Sequence, residues 1–183
     1  MDAIVTAGGI PQPGDPLYSF SNGSSKALID VAGKPMVQWV LDALSNSTKV
    51  DNVILIGVSP KSGLTCTKPV HYISNQGRML ANIVAGVNKA IELNKKSEYV
   101  LIVSSDIPGV KGEMVDWLVD TAMQTKDDLY YGVCPREVME ARYQLVREKA
   151  ESEQARDEWE HLGQGTPSPL SLRIPQLEEK RAK

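Results

Sequence analysis

The sequence predicts an α/β fold with a doubly wound, mostly parallel sheet and a charged carboxyl-terminal tail, and three observations carry that prediction. Continuous apolar runs recur at residues 3–6, 53–58 and 99–103. A run without the apolar-polar alternation of a half-exposed sheet reads as a strand covered on both faces. Stretches with apolar residues at helical spacing separate these runs, so strand and helix alternate over residues 1–134 as in right-handed β-α-β units. The loops after the first and third runs carry the chemically distinctive residues, at the carboxyl ends of strands where such sheets bind ligands.

Taken in order, the first run enters Ala7-Gly8-Gly9, where the backbone must turn tightly. Residues 10–25 are rich in Gly, Pro, Ser and Asn and read as a long loop, a length that points to function or disorder. Gly33-Lys34-Pro35 opens a helix, because proline suits a first helical turn and Met36, Val37, Val40, Leu41 and Leu44 then share one face. Residues 70–73 form a weaker strand. The clearest helix spans residues 78–94, with Leu80, Ile83, Val84, Val87 and Ile91 expected on the core side. The strand at 99–103 precedes Ser104-Ser105-Asp106-Ile107-Pro108, and Val115, Leu118, Val119 and Ala122 mark the next helix. Residues 129–134 read as one more strand, with Cys134 as core packing. Trp39 and Trp117, on predicted helices, read as core or half-buried anchors. Past residue 143 the chain becomes charge-rich with few regularly spaced apolar residues, so residues 1–143 are expected to form one domain and 144–183 a solvated helical segment and loose tail.

Composition narrows the function classes. With 42% hydrophobic and 23% charged residues the chain has the balance of a soluble globular protein, and its net charge of -3 argues against a surface built to neutralise nucleic-acid phosphates. Cys66 and Cys134 lie far apart without C-x-x-C spacing, so neither a disulfide framework nor a zinc site is expected. The amino terminus lacks a basic region followed by a long apolar stretch, and no segment approaches the ~18 apolar residues of a membrane helix. A cytoplasmic protein that binds neither nucleic acid nor membrane is expected. His71 and His161 do not form a pair for metal or acid-base work, and Arg136 and Arg142 read as surface charges.

Two features carry chemistry. The glycines of Ala7-Gly8-Gly9 let a ligand approach the backbone, whose N–H groups can bond a base or phosphate, and Lys26 beyond the loop can set an ammonium against a polyphosphate. The same residues also suit a plain strand-to-loop turn and a surface lysine. Asp106 follows an apolar strand; it is suited to hold Mg²⁺ beside a phosphate, or simply to end the strand. A dinucleotide-binding G-x-G-x-x-G is absent after the first strand, and Gly33-Lys34 is followed by Pro35, which excludes a P-loop.

Thr6-Ala7-Gly8-Gly9, Lys26-Ala27-Leu28-Ile29, Val31-Ala32-Gly33-Lys34-Pro35-Met36 and Ser105-Asp106-Ile107-Pro108 follow one another along the chain. In this the sequence resembles the MobA-like NTP transferases, nucleotidyltransferases with a Rossmann-like, GT-A type fold, over about residues 1–143. The resemblance implies transfer of a nucleotidyl group from an NTP to a phosphorylated acceptor, a sugar phosphate or cofactor precursor, with release of pyrophosphate. It implies that Ala7, Gly8 and Gly9 contact the nucleotide, that Lys26 neutralises phosphate charge, and that Asp106 binds Mg²⁺, making Lys26 and Asp106 the catalytic pair. Such transfer requires charge stabilisation and alignment more than a protein nucleophile. Asn75, Gln76 and Gly77 follow a predicted strand and Asn82 comes one helical turn later; they can read base or ribose, or cap a helix and form a turn.

The sequence also departs from the family's pattern. Ile10-Pro11-Gln12-Pro13-Gly14 stands where an arginine commonly follows the glycines, and the family's second metal-binding aspartate, expected well downstream, has no assigned counterpart. The domain is therefore expected to be incomplete relative to the family, and apolar surface left by missing strands would favour a homo-oligomer. Two other functions are carried forward: a nucleotide-binding module without catalysis, and a GT-A glycosyltransferase, whose Asp-x-Asp is absent at Ser104-Ser105-Asp106.

Overall fold

The computed structural model describes residues 1–21, 23–138 and 171–173. Its elements are β1 (Asp2–Thr6), α1 (Tyr18–Ser21), β2 (Asp30–Val31), β3 (Lys34–Pro35), α2 (Met36–Asn46), β4 (Val53–Ile56), β5 (Val70–Ile73), α3 (Met79–Leu93), β6 (Tyr99–Ser104), α4 (Gly112–Ala122), β7 (Leu129–Tyr130) and β8 (Ser171–Arg173). The main sheet runs β5-β4-β1-β6-β8-β7, and β2 and β3 form a separate antiparallel hairpin. β5, β4, β1 and β6 are parallel, whereas β8 runs antiparallel to both β6 and β7. The α/β architecture with a largely parallel sheet is as the sequence predicts.

The apolar runs behave as expected of doubly covered strands. Ala3, Val5, Val53, Leu55, Leu101 and Val103 pack with α2 and α4 on one face, while Ile4, Ile54, Ile56, Val100 and Ile102 pack with α3 on the other. Alternate residues of a strand point to opposite faces, so a strand between two helical layers must be apolar at every position. This brings β1 to the centre and aligns its carboxyl end with those of β4 and β6, through the register Thr6↔Ile56 and Thr6↔Ser104. No helix among the described residues is long and apolar enough to cross a membrane.

Four local expectations are corrected. In α3 the buried residues are Asn82, Ile83, Gly86 and Ala90, whereas Leu80, Val84 and Ile91 are exposed. The reason is close approach: a Cβ on Gly86 would lie 2.6 Å from Ile4 Cγ2 and 3.1 Å from Ile56 Cδ1, so the helix meets the large isoleucines of the sheet with its small residues. Trp117 is 67% exposed on α4 rather than an anchor, while Trp39 is half-buried and donates its indole N–H to the Val31 carbonyl. β7 is limited to Leu129–Tyr130 and pairs antiparallel with Ser171–Arg173, a strand within the stretch expected to be a loose tail. Cys134, beyond that short strand, is exposed.

The chain divides into a unit of Met1–Tyr130 with Leu170–Lys183 and a second unit of Tyr131–Pro169. The sheet and the candidate site belong to the first, and residues 131–138 alone are described in the second. Arg142, His161 and most of the predicted charged segment lie outside the described residues.

Candidate active site

At the carboxyl end of β1 the chain turns through Ala7, Gly8 and Gly9, and each of these carbonyls has a partner. Ser25 donates its hydroxyl to the Ala7 carbonyl at 2.5 Å, Asn75 donates its Nδ2 to the Gly8 carbonyl at 2.8 Å, and the Lys26 N–H donates to the Gly9 carbonyl at 2.8 Å. A trans peptide points its C=O and the following N–H in opposite directions. Tying these carbonyls therefore fixes where the N–H groups of Gly8, Gly9 and Ile10 point. Among the described residues the Gly8 and Gly9 N–H groups donate to no partner.

Glycine is required here by space. A Cβ on Gly8 would sit 2.8 Å from Asn75 Cγ, and Gly57, at φ +97 beyond the end of β4, lies so close beneath that its own Cβ would be 2.2 Å from Gly8 Cα. Gly57 and Ser25 are the site-building residues that sequence reasoning missed. A glycine interrupting the apolar run at 53–58 is the signal for Gly57, since an isolated glycine at a strand marks close backbone approach. Ser25 carries the weaker signal of a cap, accepting from the Ala27 N–H at the start of a short 3₁₀ turn over Lys26–Leu28.

That turn aims Lys26 across the mouth of the sheet. Its ammonium meets Asp106 Oδ2 at 2.7 Å, although the two residues are 80 positions apart. Asp106 follows β6 and also accepts a hydrogen bond from the Ser104 hydroxyl. Its partial burial disfavours the charge, but the bonds from Lys26 and Ser104, with the lysine's charge, outweigh it and hold the carboxyl below its ordinary value. Both side chains remain more than a third exposed, 37% for Lys26 and 36% for Asp106, so solvent and ligands can reach the pair.

Between β5 and α3, Asn75, Gln76 and Gly77 form a turn against this loop. Asn75 Oδ1 accepts from the Gly77 N–H at 2.9 Å and from Asn82 Nδ2 at 3.2 Å, and Asn82 Oδ1 accepts from the Gln76 N–H at 2.7 Å. Beside the turn, at the ends of β4 and β5, lies an open groove of about 380 Å³ floored by Gly57, Val58 and Ser59 on one side and Tyr72, Ser74 and Asn75 on the other. The residues singled out from the sequence thus meet around the ends of neighbouring strands: Lys26 contacts Asp106 and Gly9, and Asn75 contacts Gly8, Gly77 and Asn82. The Gly33-Lys34-Pro35 motif does other work. Lys34 sits 3.8 Å from the centroid of the Trp39 ring and pairs with Asp42, which fastens the β2-β3 hairpin to α2.

The largely parallel sheet thus carries a glycine turn, a lysine and an aspartate at the carboxyl ends of its strands, the side on which open α/β sheets bind ligands. The chain belongs to the MobA-like NTP transferase family, whose domain model matches residues 3–167. Among solved structures, a hypothetical transferase from Thermus thermophilus is similar at a TM-score of 0.63 and 30% identity, over 78% of this chain and 55% of that one. A 4-diphosphocytidyl-2C-methyl-D-erythritol synthase from Anaerococcus prevotii shares the fold at a TM-score of 0.52 and 17% identity, over 73% of this chain and 58% of that one. The matches thus span somewhat more than half the length of these two proteins. No curated protein matches the sequence.

Proposed function

We propose that the chain transfers a nucleotidyl group from an NTP to a small phosphorylated acceptor, a sugar phosphate or cofactor precursor, in an Mg²⁺-dependent reaction. An oxygen of the acceptor's phosphate forms a bond to the α-phosphorus, the bond from that phosphorus to the α-β bridging oxygen breaks, and pyrophosphate leaves with the bonding electrons. The observation that carries this reading is the 2.7 Å pair of Lys26 and Asp106 beside the anchored glycine turn. It unites a cation for phosphate, a carboxylate for a metal and free backbone donors for a nucleotide at one edge of the sheet.

The donor set fits Mg²⁺, which is commonly held by one or two carboxylates together with substrate phosphate oxygens. Asp106 is ionised and accessible, and it would hold the ion. Bound there, Mg²⁺ supplies charge neutralisation on the triphosphate. The protein's own contribution is alignment and preorganised charge. Lys26, on leaving Asp106, offers its ammonium to the phosphates, while the N–H groups of Gly8 and Gly9 read the nucleotide without reorganising. Asn75 borders the groove of about 380 Å³, and Gly77 lies beside it in the same turn, so that a base or ribose would be read there.

Titration with each of the four NTPs and Mg²⁺, with pyrophosphate release followed in the presence of sugar 1-phosphates, tests the reading. Binding with release supports it and identifies the base. Binding without release would replace it with a nucleotide-binding module, and the absence of binding would overturn it.

A further inference from the structure

We infer that Asn82 is a positioning residue for the nucleotide, acting through Asn75 to fix the Gly8-Gly9 peptide; this rests on the nucleotidyl-transfer reading and assigns a residue that does not itself touch the ligand. Asn82 is only 6% exposed on the sheet-facing side of α3, and both ends of its amide are used within the protein. Backbone groups determine which end is which. The Gln76 N–H can only donate, so it must meet Asn82 Oδ1, and this leaves Asn82 Nδ2 to donate to Asn75 Oδ1. The Gly77 N–H likewise can only donate to Asn75 Oδ1. The far end of Asn75 is then Nδ2, the one group able to meet the Gly8 carbonyl, and it does so at 2.8 Å.

The circuit ends at the ligand side. With the Gly8 carbonyl held toward Asn75, the Gly9 N–H is turned the opposite way. The steric frame leaves little alternative, because Gly57 closes on Gly8 Cα from below and the Asn75 amide lies against it from the side. A buried amide at the first turn of α3 thereby sets the direction of a backbone donor in the loop after β1, 73 positions away from it in sequence.

The isosteric substitution Asn82→Asp keeps the acceptor for Gln76 and replaces the donor facing Asn75 with a second acceptor. In titrations with the NTP that wild type binds best, plus Mg²⁺, Asn82→Asp should weaken Kd about tenfold, the effect of losing one well-placed hydrogen bond. The loss should appear in KM, with kcat changed by less than about threefold, because the contact is made in ground and transition states alike. Asn75→Ala should weaken binding similarly, and the double variant should bind no more weakly than Asn75→Ala alone, since one residue acts through the other. In ¹⁵N-labelled protein without nucleotide, the Asn75 side-chain amide should be slow to exchange in wild type and fast in Asn82→Asp. Unchanged affinity in a folded Asn82→Asp protein, or a loss that persists undiminished in the Asn75→Ala background, would overturn the inference while leaving the proposed function intact. Failure of wild type to bind any NTP would defeat both, and would be seen before any variant is made.

Discussion

Asp106 and Asp116 lie ten positions apart, and both carboxyls are held below their ordinary value, yet the partners that hold them are of opposite kinds. Asp116, on α4, accepts from the Ser47 hydroxyl at 2.5 Å, from the Thr48 hydroxyl at 2.7 Å and from the Thr48 and Lys49 N–H groups at 3.0 and 3.3 Å. These donors belong to the turn that ends α2, so the carboxylate staples the two helices together. Burial works against the charge, but the hydroxyl and backbone donors prevail and bring the pKa to about 2. Asp106 has one short hydroxyl partner, Ser104, and one long flexible cation, Lys26. Donors fixed to a turn cannot leave when a ligand arrives, whereas a lysine can. A low pKa alone therefore does not separate the two carboxylates; the nature of their partners does.

This comparison can be broken at each partner. The largest effect belongs to Asp106→Asn, which should reduce pyrophosphate release by about 100-fold or more while the melting temperature moves little, because an exposed ion pair contributes only about 0–1 kcal/mol to stability. Full activity in that variant would remove Asp106 from the mechanism. Lys26→Met comes next: triphosphate Kd should rise about 10- to 100-fold, the range expected for a charge-assisted contact. An unchanged Kd would show that the ammonium stays on Asp106 throughout. Asp116→Ala should do the reverse, lowering stability in denaturant titration with kcat and KM unaltered, since it leaves the buried Ser47 and the Thr48 and Lys49 donors at the end of α2 without their acceptor. Altered catalysis in folded Asp116→Ala protein would mean that Asp116 does more than join the two helices.

The smallest test is the pH dependence of stability. A carboxyl lowered from 3.8 to about 2 in the folded state contributes stability that is fully present above its unfolded value and is lost as pH falls toward 2. Wild type should accordingly lose stability between about pH 4 and 2 more steeply than Asp116→Asn. Parallel curves for the two proteins would mean that the staple is not expressed in solution.

Much of the fold was legible because its signals are local. Residues 3–5, 53–56 and 100–103 are apolar at every position, and the structure places them in the three adjacent strands β1, β4 and β6. Lys26 and Asp106 were legible as chemical types in loops after predicted elements. The face of α3 was not: Leu80, Val84 and Ile91 form a convincing stripe, but Ile4 and Ile56 occupy the space that larger helical side chains would need, and Gly86 and Ala90 turn inward instead. Nor was Ser171–Arg173, whose pairing with β6 rests on register with a strand some 70 residues earlier in the chain.

By itself, then, the sequence determined the α/β class, the central strands and the two charged residues at their ends, because apolar runs, helical spacing and glycine turns act over a few neighbouring residues. Tertiary structure alone decided that Lys26 reaches Asp106, that Gly57 closes on Gly8, and that Asn82 donates to Asn75. Those meetings depend on parallel register and on the volumes left between packed layers, which no local stretch of chain encodes.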